Sequence, residues 1–402
     1  MKKIIIYSDC DFFAGCENMI PILLNNSNSM PEYSFHFVFR NSSDYSSELK
    51  KRVLDHSLFS PLNLWKFSYY SDSRFRRGVS LLLNNLLKPF IFFQNYLVIF
   101  NEFKKHNAYM CHINNGGYPG AFSARIASIA AKKLNMKVSM FVNNTAITPK
   151  ESFLRFLGYP LDAIVSSNID IFVNASEVAS NQLKEVFQEF RYKGEFKVIP
   201  NAIDLNRFKP FLIENIVDKS KLDKVTFGIV GIHEPRKGHK ILFESIKEIT
   251  TKNPEYKGKF HLIVEGKGPH TSLLKNYVED NNLFDYIEFT GVAEDISDIY
   301  QKIDVFILPS LENEDLPNVI SEALYFGLPI IGSNIAGIPS QILDQENGFL
   351  VKPNDFLGVS KKMIFFIQNQ HKIKEMGLKS RLIFDERFTI SSVLPMYKDL
   401  FQ

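Results

Sequence analysis

Short apolar runs alternate with longer stretches of helical periodicity along almost the whole chain. Runs at 3–8, 35–40, 110–114, 137–143, 171–174 and 197–199 are apolar at nearly every position. So are those at 225–230, 261–265, 287–290, 305–308, 329–332 and 349–351. Most are too short for helices, and strands that are apolar throughout are covered on both faces, as in parallel sheets. Between them, 120–134, 240–252, 273–281, 295–302, 318–325 and 388–401 carry helical spacing. The first ends in Lys132 and Lys133, which suit a helix C-terminus. Strand–helix–strand repeats imply right-handed crossovers and a doubly wound sheet. The series occurs twice, so the pattern predicts an α/β protein with two doubly wound parallel-sheet domains.

The boundary is expected near 200–220. Asn201, Ala202, Ile203 and Asp204 close the last strand of the first half. The stretch 209–222 is polar, contains Pro210 and lacks periodicity, which reads as a linker. Residues 1–205 and 206–387 then form the two domains, and the helical tail 388–402 packs back on the first. Residues 40–105 interrupt the alternation with 11 Lys+Arg against 5 Asp+Glu, among them Lys50, Lys51, Arg52, Arg74, Arg76 and Arg77. A long apolar stretch, 81–103, follows and is broken by Pro89. Two readings stand: a helical insertion packed on its domain, or a basic amphipathic surface resting on anionic lipid.

Length and composition sharpen this. A chain of 402 residues is too long for one ordinary domain. Apolar and charged fractions of 45% and 23% are those of a soluble globular protein. A net charge of +3 argues against a nucleic-acid partner. Residues 1–200 carry 23 Lys+Arg against 16 Asp+Glu (+7) and the remainder 24 against 28 (−4), which fits two domains with different partners. The cysteines, Cys10, Cys16 and Cys111, are odd in number with no metal-ligand spacing, so neither a disulfide framework nor a zinc site is expected. A reducing, cytoplasmic compartment follows. The opening apolar run is too short for a signal peptide and meets Asp9 and Asp11 at once. No charge-free apolar stretch reaches the ~18 residues of a membrane span.

The candidate chemistry lies in loops that follow strands, where open α/β sheets bind ligands. Glu314 falls in the loop after 305–308, and Glu322 on the helix that follows. Asp315 is the expected N-cap and Pro317 the first helical turn. The two carboxylates are too far apart to share a proton but can grip separate hydroxyl-bearing parts of an extended ligand. Arg236 and Lys237, in the turn before the helix 240–252, offer a fork and a point charge for a diphosphate. Gly15 follows the first strand, where a small residue lets backbone approach phosphate. His112, Asn114 and Gly117 lie at the end of the strand 110–114, and Asn143 and Asn144 end the next. Neither a G-x-G-x-x-G fingerprint nor a P-loop is present.

Together these segments resemble the retaining glycosyltransferases of family 4, which have the GT-B architecture. The match is dense and in order over 195–351: VIPNAID (198–204), VGIHEPRKG (230–238), VEGKGP (264–269) and FTGVAEDISDIYQKIDVFILPS (289–310). The acidic pair Glu314 and Glu322, seven residues between, comes next, then YFGLPIIGSNIAGIPSQI (325–342) and NGFLV (347–351). The first half matches more loosely, around 13–18, 112–120 and 171–204.

The resemblance implies two Rossmann-like domains facing across a cleft, an acceptor-binding one and a donor-binding one. It implies a nucleotide-sugar donor such as a UDP- or GDP-sugar, a glycan or lipid-linked saccharide acceptor, and no metal. Arg236 and Lys237 would neutralise the diphosphate and Glu322 would hold ribose hydroxyls. Glu314 would face the donor sugar, with the amides of Leu316, Pro317 and Asn318 at its hydroxyls. Backbone near Gly291 and Val292 would read the base, and Gly15 would let a loop of the first domain close over phosphate. His112, Asn114 and Gly117 are the acceptor-side candidates. Many members carry Gly-Arg where Gly231-Ile232 stands, and a His where Asn143-Asn144 stands. Asn143 then replaces that His in hydrogen bonding but not in proton transfer. The rival readings are a GT-B sugar-nucleotide epimerase and a non-catalytic nucleotide-sugar-binding subunit.

Overall fold

Ile4, Ile5, Ile6 and Tyr7 have no exposed surface, so the first strand, β1 (Lys2–Ser8), is covered on both faces. That is what an unbroken apolar run requires. The computed structural model describes residues 1–13, 15–66, 74–144, 146–147, 159–216, 222–312 and 314–402, with backbone only at 74–86 and 159. Ala14, Thr145 and Asn313, the side chains of Arg74, Arg76 and Arg77, and part of the expected linker lie outside the described residues.

The chain divides into two compact units, Met1–Ile199 with Met396–Gln402, and Pro200–Pro395. The first is built on β1, β2 (Tyr33–Arg40), β3 (Phe59–Leu62), β4 (Met110–Asn115), β5 (Lys137–Val142), β6 (Ile171–Asn174) and β7 (Glu195–Val198), all parallel, in the order β3-β2-β1-β4-β5-β6-β7. The second uses β8 (Val225–Val230), β9 (Phe260–Glu265), β10 (Ile287–Gly291), β11 (Val305–Leu308), β12 (Ile330–Ser333) and β13 (Gly348–Val351), again parallel, in the order β10-β9-β8-β11-β12-β13. Both orders reverse beside the first strand of the unit, β1 against β4 and β8 against β11. Such switch points open a crevice at the carboxyl ends of the strands, where doubly wound sheets hold ligands. The expected pair of Rossmann-like parallel-sheet domains is therefore present.

Each sheet has its own core. Ile5, Val38, Ile113, Val138 and Phe172 anchor the first, and Phe227, Ile229, Leu262, Val305 and Ile331 the second. The last helix, Ile390–Phe401, puts Phe401 against Tyr33 and Phe35 in the first core, with ring centroids 5.8 and 5.7 Å apart.

Three expectations need correction. The segment 40–105 is not a purely helical insertion, since it contributes the edge strand β3, paired to β2 through Phe37 and Phe59. Pro61 within that four-residue strand hid it, and an edge is where a strand tolerates proline. The long helix of this segment, Arg74–His106, runs through Pro89. It buries Ile91, Asn95, Ile99 and Phe103, spaced four apart, against the unit. Second, the expected linker is docked where described: Phe208, Phe211 and Ile216 are buried, and the Phe211 amide donates to the Tyr325 hydroxyl at 3.0 Å. Third, the helices Met19–Asn25, Glu177–Gln188, Phe356–Gln368 and His371–Arg387 went unforeseen. Among the described residues no helix is long and apolar enough to cross a membrane.

Candidate functional site

In the second unit, the loops after β8 and β11 meet at the switch point. The turn Pro235–Lys237 ends at Gly238, whose φ of +74° suits glycine. A Cβ there would lie 1.9 Å from the Pro309 carbonyl oxygen, so only glycine lets the two loops touch. The Leu311 amide donates to the Arg236 carbonyl at 2.7 Å and locks them together.

This contact brings Arg236, Lys237 and Glu314 into one cluster. Glu314 Oε1 takes Lys237 Nζ at 2.5 Å, Arg236 Nη1 at 3.1 Å and the Ser310 hydroxyl at 3.1 Å. Arg236 Nε also donates to Glu234 Oε2 at 2.7 Å. Glu314 and Lys237 are buried. Burial pushes the Lys237 ammonium below its usual range, and the Glu314 carboxylate opposes that shift.

Beyond Glu314 the chain passes buried Leu316 and enters the helix Asn318–Tyr325. Asp315 does not cap this helix. Pro317 holds the cap position with φ −64° and ψ 118°. The fixed φ of proline suits the entry. Asn318 Oδ1 accepts from Asn201 Nδ2 at 3.3 Å. About one turn further in, Glu322 is buried; its Oε2 accepts from the Tyr300 hydroxyl at 2.8 Å and its Oε1 faces Arg207 Nη1 at 3.2 Å. Burial, then the Glu322 charge, lifts the Tyr300 phenol well above its usual range. Val292 is exposed just after β10, and the adjacent Ala293 amide donates to Glu265 Oε1 at 3.2 Å. Burial and the charge of Glu322 both raise the Glu265 carboxyl. Arg207, Tyr300 and Glu265 were not foreseen. Glu265 and Tyr300 lay in singled-out segments, VEGKGP and FTGVAEDISDIYQKIDVFILPS, and Arg207 in none.

In the first unit, Gly15 opens the short turn Gly15–Glu17 after β1. Its neighbour Glu17, given no role from sequence, is the hub. Glu17 Oε1 accepts from Asn114 Nδ2 at 2.6 Å, Ser8 Oγ at 3.0 Å, Cys10 Sγ at 3.1 Å and Cys16 Sγ at 3.7 Å; Oε2 accepts from the Tyr45 hydroxyl. These donors are neutral side chains. Burial raises the Glu17 carboxyl from its usual range while the Tyr45, Cys10 and Ser8 bonds pull it back. Because Asn114 gives its NH₂ to Glu17, its Oδ1 is left to accept from Asn143 Nδ2 at 2.7 Å. Asn143 Nδ2 also reaches the Asn115 carbonyl at 3.3 Å, which turns its own Oδ1 away from the network. Gly117 sits in the following loop, its carbonyl accepting from Asn115 Nδ2 at 2.7 Å.

His112 is corrected from an acceptor-side contact to a core residue. It is 3% exposed, its Nδ1 lies 2.8 Å from Ser139 Oγ, and Phe141, Tyr397 and Phe401 surround its ring. Burial lowers it to about 4, so the ring is neutral near pH 7.

Two acidic–basic clusters at the switch point of a Rossmann-like unit can hold an anion and hydroxyls side by side. Residues 224–369 match the family model of glycosyl transferases group 1. This group 1 stretch contains Arg236, Lys237, Glu314 and Glu322. Among curated relatives, an uncharacterized glycosyltransferase of Haemophilus influenzae is 30% identical over 182 residues, 45% of this chain and 50% of that protein. The UDP-Gal:alpha-D-GlcNAc-diphosphoundecaprenol alpha-1,3-galactosyltransferase of Escherichia coli is 34% identical over 182 residues, 44% of this chain and 46% of that one. The chain thus spans about half the length of the curated relatives it matches. Anabaena HepE in complex with UDP shares the fold with a TM-score of 0.74 at 14% identity, covering 99% of both chains. The lipopolysaccharide outer core galactosyltransferase WaaB does so at 0.69 and 15%, covering 100% of this chain and 99% of that one.

Proposed function

We propose that this chain is a retaining, metal-independent glycosyltransferase of family 4. It moves a hexose-type sugar from a UDP- or GDP-sugar to a glycan or lipid-linked saccharide, in bacterial envelope, capsule or O-antigen polysaccharide synthesis. The observation that carries the reading is the Arg236–Lys237–Glu314 cluster beside the helix that bears Glu322. A glycosyl phosphate breaks through a cationic sugar while negative charge gathers on the departing diphosphate. Arg236 and Lys237 are preset where that charge develops, so they need little reorganisation as it forms. Glu314 keeps the buried Lys237 charged and also offers an oxygen to the sugar. Glu322, clamped by Tyr300 and Arg207, is fixed to accept from ribose hydroxyls, with backbone near Val292 at the base. Within the first unit, Asn143 Oδ1 and the Gly15 backbone are the groups proposed to serve the acceptor and the phosphate. Retention follows if the leaving phosphate itself assists attack on the same face, since a carboxylate pair about 5 Å apart is the alternative route.

Relatives support the biological setting. The galactosyltransferase above acts on a diphosphoundecaprenol-linked sugar, and others are colanic acid and amylovoran biosynthesis glycosyltransferases. The exposed row Leu87, Phe90, Phe93 and Leu97 on the helix Arg74–His106 supports a lipid-linked acceptor or contact with the inner face of the cell membrane.

The test is a thermal-shift screen with UDP-, GDP- and ADP-sugars, then nucleotide release in the presence of an acceptor. One donor raises the melting temperature by mass action and is consumed. No shift with any of them sinks the reading. Reversing Lys50, Lys51 and Arg52 to Glu should weaken sedimentation with anionic vesicles, and unchanged binding removes the membrane contact.

A further inference from the structure

The first unit holds a pocket of about 380 Å³ to which neither the sequence motifs nor the clusters above assign a role. It opens at the carboxyl ends of β1, β2 and β3. Its floor is Asp9, just after β1, paired through both carboxylate oxygens with Arg40 at the end of β2. The Ser123 hydroxyl donates to Asp9 and accepts from the Tyr7 hydroxyl at 2.7 Å. Arg40 Nη1 donates to the Leu64 carbonyl at 2.7 Å. At the rim, Lys66 pairs with Asp11. Among the described residues, every charged side chain lining this pocket has an opposite charge beside it, two acids with two bases. The lining is polar and rich in donors and acceptors without favouring an anion or a cation.

One wall is aromatic. Trp65, the single tryptophan of the chain, is 49% exposed. Buried Asn95 fixes its backbone from both sides, accepting from the Trp65 amide at 2.8 Å and donating to its carbonyl at 2.9 Å. Phe90 backs the indole edge-on, with ring centroids 5.3 Å apart. A half-exposed indole held this rigidly loses little entropy when a ligand settles on it. A sugar ring has an apolar C–H face and a rim of hydroxyls. It matches a flat apolar wall above a charge-balanced polar floor.

We propose that this pocket is a subsite for an uncharged saccharide unit of the acceptor, with Trp65 as its platform and Asn95 as the positioning residue. The inference rests on the glycosyltransferase reading for the word acceptor, but saccharide binding is testable without it. Because Trp65 is the only tryptophan, its fluorescence reports the pocket directly.

The full chain is titrated with methyl α-galactoside, methyl α-glucoside, N-acetylglucosamine, lactose and glucuronate, with and without UDP. At least one neutral sugar should change the emission saturably, with an affinity on the order of millimolar, and glucuronate should bind no tighter. Trp65→Ala, followed by calorimetry, should weaken that sugar about tenfold or more, while Trp65→Phe should weaken it less and the affinity for UDP should not move. No saturable response to any neutral sugar, tighter binding of glucuronate, or wild-type affinity in Trp65→Ala overturns the subsite. Loss of the donor reading appears separately, as absence of a thermal shift with any UDP-, GDP- or ADP-sugar in a chain that still responds to a neutral sugar.

Discussion

Each unit buries a carboxylate at the switch point of its sheet, and the two are held in opposite ways. Glu314 is met by two cations, Arg236 and Lys237, whereas Glu17 is met by neutral hydroxyl, thiol and amide donors. A buried charge needs either an opposite charge or several hydrogen bonds. The ion-paired solution concentrates cations that a phosphate ligand can use. The hydrogen-bonded one fixes the orientation of neutral groups, through Asn114 to Asn143. The difference assigns charge handling to the second unit and positioning to the first.

The comparison is broken most severely by Glu314→Ala. Lys237 would be left as a buried unpaired cation, so we expect a loss of about 3–5 kcal/mol in denaturant unfolding and a fall in transfer of roughly 100-fold or more. The double change Glu314→Met with Lys237→Met should recover most of the stability and none of the transfer. Recovery of transfer would show that the pair is structural only.

A smaller effect is expected for Glu17→Gln, which faces its donors with an amide and should cost about 1–3 kcal/mol. The pH dependence of stability gives Glu17 a second readout. The folded Glu17 is raised above its unfolded value of 4.5. Above that value the unfolded chain loses the proton first, so stability falls as pH rises through the window up to the raised folded value. Glu17→Gln should flatten that slope between wild type and variant unfolding curves. A slope unchanged by the substitution would mean that the carboxylate is not desolvated.

The smallest effect tests the clamp on Glu322. Arg207 is about a third exposed, and solvent screens its pair, so Arg207→Ala should change stability by less than about 1 kcal/mol. Donor affinity, read by UDP titration, should still drop several-fold because Glu322 keeps only Tyr300. An unchanged affinity would leave Arg207 as a surface pair.

In the second unit the candidates were readable one by one from the strand each follows, although Arg236 and Glu314 are 78 positions apart and Arg207, Tyr300 and Glu265 went unforeseen. β11 is an unbroken apolar run and β8 nearly one, and Arg236, Lys237 and Glu314 follow them within a few residues. The helix that carries Glu322 matched its expected bounds, and only its cap was misplaced, at Asp315 where Pro317 holds it. In the first unit β3 was hidden by Pro61, and the partners of Glu17 come from far along the chain. Tyr45 is 28 and Asn114 97 positions away. His112 illustrates the same limit. A lone histidine on a strand is more often a core residue, and the glycine loop after it made His112 an acceptor-side candidate, yet rings from β5 and the last helix bury it.

The amino-acid sequence by itself determined the alternation of buried strands and helices, the doubling of the Rossmann-like unit, and the loops that carry charge at strand ends. These follow from periodicity and from residues close in the chain. Only the tertiary structure decided which carboxylate meets cations and which meets neutral donors. It also gathered Asp9, Arg40, Trp65 and Asn95 around one pocket. Those outcomes depend on side chains brought together by sheet order, and hydrogen bonds and ion pairs form only at distances that sequence separation does not record.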